Sequence, residues 1–233
     1  MVPTYERALI VGAGDGLSAS LARLFAENGL KVGLAARNAA KLAGLAQDLG
    51  AATHPCDAAQ PGDVDALFAA MDNALGGPPD VVVYNPSARV QGPLISLDSA
   101  DVRNALLVTA YGGFLVAQAA AKRMLSNRHG AILFTGASAS VKGYPGSAPF
   151  AMGKFALRGL AQSIARELAP QGIHVAHFVI DGGIRSARRA EAPDAPDSTL
   201  DPDAIAQTYL HVLQQDRSAW TWEVELRPWV ERF

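Results

Sequence analysis

Residues 8–18 read ALIVGAGDGLS, and this stretch decides the fold. The apolar run ALIV predicts a buried strand, and the amphipathic pattern LSASLARLFAENG that begins at Leu17 predicts a helix. Glycines between a strand and a helix let the backbone turn sharply and approach a pyrophosphate, while the helix N-terminus supplies amide donors. A structural turn would also explain a glycine cluster. Its position in a strand–turn–helix unit about 30 residues long favours a dinucleotide-binding loop.

The alternation of strand and helix continues along the chain. Short apolar runs are separated by amphipathic stretches, and these runs lie at 8–12, 32–36, 81–84, 131–135 and 174–180. Continuous apolar strands that alternate with helices predict an α/β fold with a doubly wound parallel sheet and helices on both faces. Because the apolar segments are spread evenly, we expect a single domain over residues 1–233.

Composition excludes several classes of function. The net charge of −2 gives no basic field, so we expect no nucleic-acid partner. The single cysteine, Cys56, allows no internal disulfide and favours a reducing, cytoplasmic setting. The start of the chain, MVPTYERALIVGAGDG, lacks the long apolar core of a signal peptide. No uninterrupted apolar run is long enough to span a bilayer, so we expect no membrane association. The five histidines show no metal-ligand spacing, and we expect no metal site.

The spacing in the glycine loop resembles a known family. Gly12, Gly16 and Ser18 follow the Gly-x-x-x-Gly-x-Gly pattern of the short-chain dehydrogenases/reductases, with Ser18 in place of the third glycine. The resemblance covers almost the whole chain, and its further matches are Cys56-Asp57, the segment 84–87 (YNPS), the helix 113–124, the segment 150–175 and Asp181-Gly182-Gly183. It implies a Rossmann-like domain that binds NAD(P). We expect Ser18, which adds a side chain, to loosen the packing of helix against strand.

The resemblance also implies which residues hold the cofactor. They follow the carboxyl ends of successive strands and comprise Gly12, Gly14, Asp15, Gly16, Leu17, Arg37, Asn38, Asp57, Asn85, Lys154 and Gly183.

Arg37 indicates which cofactor is preferred. In dinucleotide-binding folds an acidic residue at the end of the second strand accepts hydrogen bonds from the ribose 2′-hydroxyl. Here that end reads Ala35-Ala36-Arg37-Asn38, and a guanidinium suits a 2′-phosphate. NADP is therefore favoured and NAD is possible. Asp15 argues against NADP, because some NADP-preferring relatives carry a base there, and Arg37 as a solvated surface residue is the competing interpretation.

The catalytic pattern of the family is incomplete. The family uses an Asn, a Ser and a Tyr-x-x-x-Lys pair, and of these only Lys154 matches by register. Phe150 stands at the Tyr position and Thr109 at the Asn position. The Ser position falls on Ala137, with Ser138 one residue away. Since a phenyl ring donates no proton, Ser138, Tyr144, Thr109 or a water would have to do so, although Tyr144 is the more expected as a wall of the pocket.

Two functions of different classes follow. The first is an NADP-dependent oxidoreductase acting on a small alcohol or carbonyl. The second is a catalytically lapsed NADP-binding protein that serves as a sensor or interaction partner. The loss of a general acid costs roughly 10²–10⁴ in rate, whereas enzymes accelerate reactions by roughly 10⁶ or more. Positioned hydride transfer could therefore survive the loss, and the sequence leaves both functions open.

Two further segments carry expectations. The irregular segment 182–200 is long enough to serve as a substrate lid. Its arginines (Arg185, Arg188 and Arg189) are either a solvated run or a site for an acidic substrate. The predicted last strand, 220–226, and its surroundings contain three tryptophans within ten residues. Aromatic clusters are enriched at interfaces, so we expect a homodimer or homotetramer.

Overall fold

Seven parallel strands form one sheet in the order β3-β2-β1-β4-β5-β6-β7. The computed structural model describes residues 2–186, 189–191 and 193–231. The strands run over β1 (Arg7–Val11), β2 (Lys31–Ala36), β3 (Ala52–Pro55), β4 (Val81–Tyr84), β5 (Gly130–Thr135), β6 (Ile173–Ile180) and β7 (Glu223–Leu226). The strand order reverses between β1 and β4, and such a reversal opens a crevice at the carboxyl ends of these strands.

The helices cover both faces of the sheet, as the sequence predicts. They run over α1 (Leu17–Glu27), α2 (Ala43–Leu49), α3 (Pro61–Ala74), α4 (Ser99–Leu106), α5 (Gly112–Met124), α6 (Ala148–Leu168) and α7 (Pro202–Leu213). Buried side chains of α3, α5 and α6 form one core with one face of the sheet. Those of α1 and α7 form a second core with the other face. The single doubly wound α/β domain is confirmed.

From Ala8 to Val11 the strand β1 is apolar without interruption, and the packing on its two faces explains why. Leu9 and Val11 belong to the first core, while Ala8 and Ile10 belong to the second. Neighbouring strands flank β1 on both sides, with Val11 in register with Ala35 of β2 and with Tyr84 of β4. Side chains alternate between the two faces of a strand, so a strand that is covered on both faces needs an unbroken apolar run.

One helical segment has the length and apolar composition of a membrane span, although the sequence predicted no such segment. The continuous helix Ser99–Met124 joins α4, a π-helical turn (Leu107–Tyr111) and α5. It is long and apolar enough to cross a membrane by length and composition, with a mean hydropathy of 1.3 over its most apolar window. In this fold 44% of that window is buried, and Val116, Ala117 and Ala120 lie in the first core. Packing against the sheet accounts for the apolar composition.

The end of the chain departs from the predicted strand 220–226. The observed strand β7 begins only at Glu223. A 3₁₀ turn precedes it at Arg217–Ala219, and the Trp220 ring stacks on His174 with centroids 4.5 Å apart. This stacking turns the chain towards the sheet before pairing starts, so Trp220 lies before the strand.

The predicted lid segment 182–200 joins β6 to α7. Isolated bridges pair Ile184 with Leu200 and Ser186 with Arg189. Asp201 caps α7, because its carboxylate accepts a hydrogen bond from the Asp203 amide at 2.8 Å. Arg188, one of the three predicted substrate-facing arginines, lies outside the described residues.

Candidate functional site

The glycine loop after β1 uses its glycines in two ways. Gly12 has φ of +80°, and a Cβ atom there would lie 2.6 Å from the Pro86 nitrogen. Only glycine fits this close approach of two turns. At Gly14 and Gly16 an added Cβ atom would meet nothing within 4 Å. These two glycines therefore border open space that a side chain would fill, which fits a backbone cradle for a pyrophosphate.

A cleft with a cavity volume of about 460 Å³ opens beside this loop. Its walls follow the carboxyl ends of β1, β2, β3 and β4, which is where the strand order reverses. It brings together seven of the predicted cofactor residues, namely Gly12, Gly14, Asp15, Arg37, Asn38, Asp57 and Asn85. The cleft matches the predicted dinucleotide site in place and composition.

Four predicted cofactor residues lie elsewhere. Gly16 is the N-cap of α1 and does not line the cleft. The Leu17 side chain is only 4% exposed and packs in the second core, so a ligand can reach only its backbone. Gly183 lines a different cavity, which also contains Phe150. Lys154 is 2% exposed and lines neither cavity.

Ser18 contradicts the expectation that it loosens the packing. It is 2% exposed, and its hydroxyl donates to the Gly12 carbonyl at 3.2 Å. The same Oγ accepts a hydrogen bond from Nδ2 of Asn85 at 2.7 Å. Both hydrogen-bonding roles of the hydroxyl are therefore satisfied inside the fold. Ser18 ties the glycine loop to the turn after β4, and in doing so it fixes one wall of the cleft.

Two cations stand where β2 ends. Arg37 and Asn38 line the cleft as predicted, and Lys41, on the 3₁₀ turn Ala39–Leu42, lines it with them. Lys41 is absent from the residues predicted to hold the cofactor, and the available signal was a second cation within four residues of Arg37, just after the end of β2. Asp15 and Asp57 supply the carboxylates of the same cleft.

Cys56 also lines the cleft but is chemically quiet. Its thiol is 4% exposed, and burial raises the pKa of Cys56 to about 12, with the charges of Asp63 and Asp57 adding to the effect. The thiolate is the reactive form, so at neutral pH this cysteine behaves as a small buried residue, as expected.

A second cavity, of about 330 Å³, lies at the same edge of the sheet. Its lining includes four residues predicted for the site, which are Ser138, Tyr144, Phe150 and Gly183. Ser138 follows β5 and is half-buried, whereas Tyr144 is 44% exposed. This cavity therefore collects three hydroxyl groups, those of Ser138, Tyr144 and Ser147, around the phenyl ring of Phe150. It is the candidate substrate pocket.

Phe150 and Lys154 lie one turn apart on α6, as their spacing requires. The Phe150 side chain is 9% exposed, and the Arg89 guanidinium lies over its ring at 4.5 Å from the centroid. Lys154 Nζ donates a hydrogen bond to the Thr135 carbonyl at 2.7 Å. Burial, together with the smaller effect of the Arg89 charge, lowers the pKa of Lys154 to about 7. Near neutral pH this amine changes its charge.

This lowered pKa predicts a pH-dependent stability. The folded protein holds the Lys154 proton less tightly than the unfolded chain does, so between about pH 7 and about 10 unfolding takes up a proton. The free energy of unfolding should therefore rise with pH across this window, by at most about 1.4 kcal/mol per pH unit from this group. In Lys154→Met this component should disappear, as measured by urea unfolding at several pH values.

The control for this experiment is Lys122→Met, because Lys122 is an exposed lysine on α5. Its pH profile should follow that of the unmodified protein. Parallel profiles for Lys154→Met and the unmodified protein would show that Lys154 titrates normally.

Thr109, one of the predicted proton donors, lies apart from both cavities. It is 1% exposed, and its Oγ1 accepts a hydrogen bond from the Ala88 amide at 3.2 Å. A Cβ atom added at Gly153 would lie 2.9 Å from the Thr109 Cβ, so α6 packs closely on it. Thr109 lines neither cavity. Its hydroxyl instead supports the loop after β4, because that loop has a backbone amide to satisfy.

A buried network behind the pocket was not predicted. Ser140 Oγ accepts from the Ala137 amide at 3.1 Å and lies 3.3 Å from Nε2 of His177. Nδ1 of His177 lies 3.1 Å from Glu223, which accepts two hydrogen bonds from Arg158. Burial lowers the pKa of His177 to about 4. Because Ser140 is 0% exposed, this Ser-His-Glu arrangement positions the loop that carries Ser138 and meets no substrate.

Comparison with known proteins gives the family. A family model described as short chain dehydrogenase matches residues 6–196. A short-chain dehydrogenase from Rhodopseudomonas palustris, solved as a crystal structure, is 35% identical with a TM-score of 0.83 and covers 97% of this chain and 100% of its own. An uncharacterized oxidoreductase of Staphylococcus aureus (strain N315) is 27% identical over 230 residues, which are 97% of this chain and 99% of the relative.

A third relative was solved with a ligand. The crystal structure of a metagenomic short-chain oxidoreductase in complex with NADP is 25% identical, has a TM-score of 0.83, and matches 97% of this chain and 98% of its own. The family model spans most of the chain, and both the parallel sheet and the glycine-loop cleft agree with it. The chain belongs to the short-chain dehydrogenase family.

Proposed function

We propose that this protein is an NADP-dependent oxidoreductase that acts on a small alcohol or carbonyl. The observation that carries the proposal is the cleft that joins the open faces of the glycine loop to Arg37 and Lys41. The candidate substrate pocket opens at the same edge of the sheet, among the residues that follow β4, β5 and β6. Ligands of open α/β sheets bind at this edge.

The preference for NADP rests on charge at the end of β2. A 2′-phosphate needs cations, and Arg37 and Lys41 supply two, whereas no carboxylate stands at the usual ribose-binding position. The metagenomic relative that was solved with NADP supports the same cofactor. Asp15 acts in the opposite direction, because it adds a negative charge to the glycine loop. Asp15 and Asp57 also line the cleft, but the two cations stand where β2 ends, at the position that meets the ribose, and there they favour the phosphate.

The chain would share the chemistry with its cofactor. NADPH, when bound, would supply the hydride. Backbone amides at the start of α1 would hold the pyrophosphate, and the hydroxyls of Ser138 and Tyr144 line the pocket in which a carbonyl oxygen needs a hydrogen-bond donor. Ser138 is half-buried and directly follows the Ser position of the family pattern, so it is our first choice for that donor.

The experiment is NADPH oxidation across a panel of small carbonyl compounds. We expect measurable turnover, and we expect Lys154→Ala to reduce it, because Lys154 stands at the lysine position of the Tyr-x-x-x-Lys pattern and is one of the residues predicted to hold the cofactor. Ser138→Ala should lower kcat more than KM, since the hydroxyl would act mainly in the transition state. Tight NADPH binding without turnover on any member of the panel would instead support the lapsed, NADP-binding alternative. The named relatives, which are a dehydrogenase and two oxidoreductases, favour the enzyme.

We also propose a homodimer or homotetramer. Large apolar side chains are exposed on the helix Ser99–Met124 and on α6, namely Tyr111, Phe114, Met152 and Phe155. Tyr111 and Phe114 stack with centroids 6.2 Å apart. Near β7, Trp229 is 81% exposed. Such patches mark interaction surfaces.

Light scattering at micromolar concentration should therefore give a mass of two or four chains. Phe114→Glu should lower that mass, because it places a charge in the patch. The same substitution at Arg23, which is exposed on α1, should leave the mass unchanged. A monomer in the unmodified protein would end this part of the proposal.

The proposal includes two smaller parts. Gly182, Gly183 and Arg189 line the candidate substrate pocket, so we propose that segment 182–200 covers the substrate as a lid. A reducing, cytoplasmic location suits a chain whose single cysteine is buried and unpaired.

A further inference from the structure

Two arginines line the candidate substrate pocket, and their positive charges repel each other. Arg89 follows β4 and Arg189 belongs to the segment after β6, and both line the cavity that holds Phe150. The Arg189 side chain packs on Gly183, where an added Cβ atom would lie 2.8 Å from one guanidinium nitrogen. Burial lowers the pKa of Arg89, and the charge of Arg189 lowers it further. Like charges that share a partly buried cavity destabilise each other.

The half-buried arginines among the described residues have carboxylate partners. Arg123 bonds Asp72, Arg158 bonds Glu223, and Arg185 bonds Asp201. Within the part of the chain that the structure describes, no carboxylate forms an ion pair with Arg89 or Arg189. Both arginines are exposed, and what distinguishes Arg89 from a fully solvated surface arginine is that its guanidinium packs on the Phe150 ring and that partial burial lowers its pKa.

Two carboxylates line the same cavity and do not cancel this charge. Asp181 is 6% exposed and already bonds Lys142 Nζ at 2.9 Å. Glu231 is exposed at the edge, and no ion pair joins it to either guanidinium among the described residues. Arg89, Arg189 and Lys142 therefore outnumber the two acids, and the pocket keeps a positive charge that a ligand can neutralise.

We propose that Arg89 and Arg189 form an anion site in this pocket, which binds a carboxylate or phosphate group carried by the substrate. The role of this anion as part of a substrate rests on the proposed oxidoreductase function. A planar guanidinium presents paired donors that match a carboxylate or a phosphate. An anion bound between the two arginines also offsets their mutual repulsion, and this relief strengthens the binding of the anion.

Phe150 has a physical role in such a site. The Arg89 guanidinium lies 4.5 Å from the centroid of its ring, within the range of a cation–π contact. A phenyl ring holds the guanidinium by its face and leaves the edge donors of the guanidinium free for a ligand. The absence of a hydroxyl at position 150 is therefore compatible with a pocket that grips its substrate through Arg89.

Matched pairs of acidic and neutral probes test the site by binding. Acetoacetate is compared with methyl acetoacetate, and dihydroxyacetone phosphate with dihydroxyacetone, by calorimetry on the full chain with and without NADP⁺. We expect at least one acidic probe to bind and its neutral partner to bind far more weakly. Hydrogen bonds to charged groups contribute roughly 1.5–3 kcal/mol, so Arg89→Gln and Arg189→Gln should each weaken the acid by roughly ten- to hundredfold. The pair that responds tells a carboxylate from a phosphate.

The controls separate charge from folding. Arg23→Gln, on the exposed side of α1, should leave the affinity unchanged. Arg89→Lys should recover part of it, because the charge returns without the planar fork. Added salt should weaken the acids and leave the neutral probes unaffected, and this measurement needs no variant.

Equal binding of acids and their neutral partners would overturn the anion site, and so would affinity that survives both glutamine substitutions. The result is independent of turnover. Acid binding that is lost in the variants, together with no NADPH oxidation, would keep the anion site and reject the proposed reaction. Turnover on neutral carbonyls with no preference for acids would keep the reaction and reject the site.

Discussion

Phe150→Tyr should raise the turnover of any accepted carbonyl by up to roughly 10²–10⁴, the contribution of a positioned general acid. The new hydroxyl would stand one turn from Lys154, whose ammonium lowers the pKa of a nearby phenol. The Phe150 ring lines a cavity of about 330 Å³, so the added oxygen has open space beside the ring. The measurement is steady-state NADPH oxidation together with the melting temperature, for both proteins.

The matched control is Phe155→Tyr, because Phe155 lies on the same helix and is 45% exposed. It adds the same hydroxyl outside the pocket and should leave the rate unchanged, and because Phe155 belongs to the proposed oligomer surface, light scattering checks that the mass of the assembly is also unchanged. A hydroxyl buried without a partner would cost about 1–3 kcal/mol, so a lower melting temperature without turnover would show that the fold has closed around Phe150. A native protein that is already fast, and that Phe150→Tyr slows, would mean that Ser138 or Tyr144 is the acid.

The double substitution Arg37→Ala/Lys41→Ala should weaken NADPH binding by roughly 10²–10⁴ and leave NADH binding nearly unchanged. Each cation would make charge-assisted hydrogen bonds to a 2′-phosphate, which contribute roughly 1.5–3 kcal/mol per contact. The two contributions need not add, because neighbouring charges act on the same phosphate. Either single substitution should remove part of the preference. Fluorescence titration with both cofactors measures the gap.

Two further proteins sharpen this test. Lys122→Ala removes an exposed lysine on α5, outside the cleft, and should preserve the preference for NADPH. Asp15→Asn removes a carboxylate that lines the cleft and should tighten NADPH. Equal affinities for NADPH and NADH in the unmodified protein would refute the assignment of Arg37 and Lys41 to a phosphate.

Phe150→Tyr and the double substitution Arg37→Ala/Lys41→Ala test different halves of the same edge of the sheet. The Arg37–Lys41 half lies where β2 ends, and the Phe150 half lies where β4, β5 and β6 end. A change in one half should leave the other intact, since none of the residues that the structure describes lines both cavities. Phe150→Tyr should therefore leave the cofactor preference unchanged, and the double substitution should leave the acid-against-neutral preference of the substrate pocket unchanged.

The sequence by itself determined the parts of this protein that depend on local spacing. Apolar runs separated by amphipathic stretches predicted the parallel sheet with its two helical layers, because side chains alternate on strands and recur every turn on helices. The turn at the end of β1 requires a glycine at position 12, because only glycine tolerates the positive φ and the close approach of Pro86 there. The interval from Phe150 to Lys154 predicted that both lie on one face of a helix. The position of Arg37 at the end of β2 predicted that it lines the cleft.

Only the tertiary structure decided which polar groups meet. Ser18 bonds Asn85 across 67 positions of chain, and the Thr109 hydroxyl serves the amide of Ala88 across 21. Arg89 reaches the ring of Phe150 from another strand end. Whether a given side chain loosens or tightens the packing, and whether it serves catalysis or structure, depends on which groups a distant segment brings within about 3 Å of it. Period and propensity describe neighbours along the chain, and partners of this kind are chosen only when the sheet brings its strand ends together.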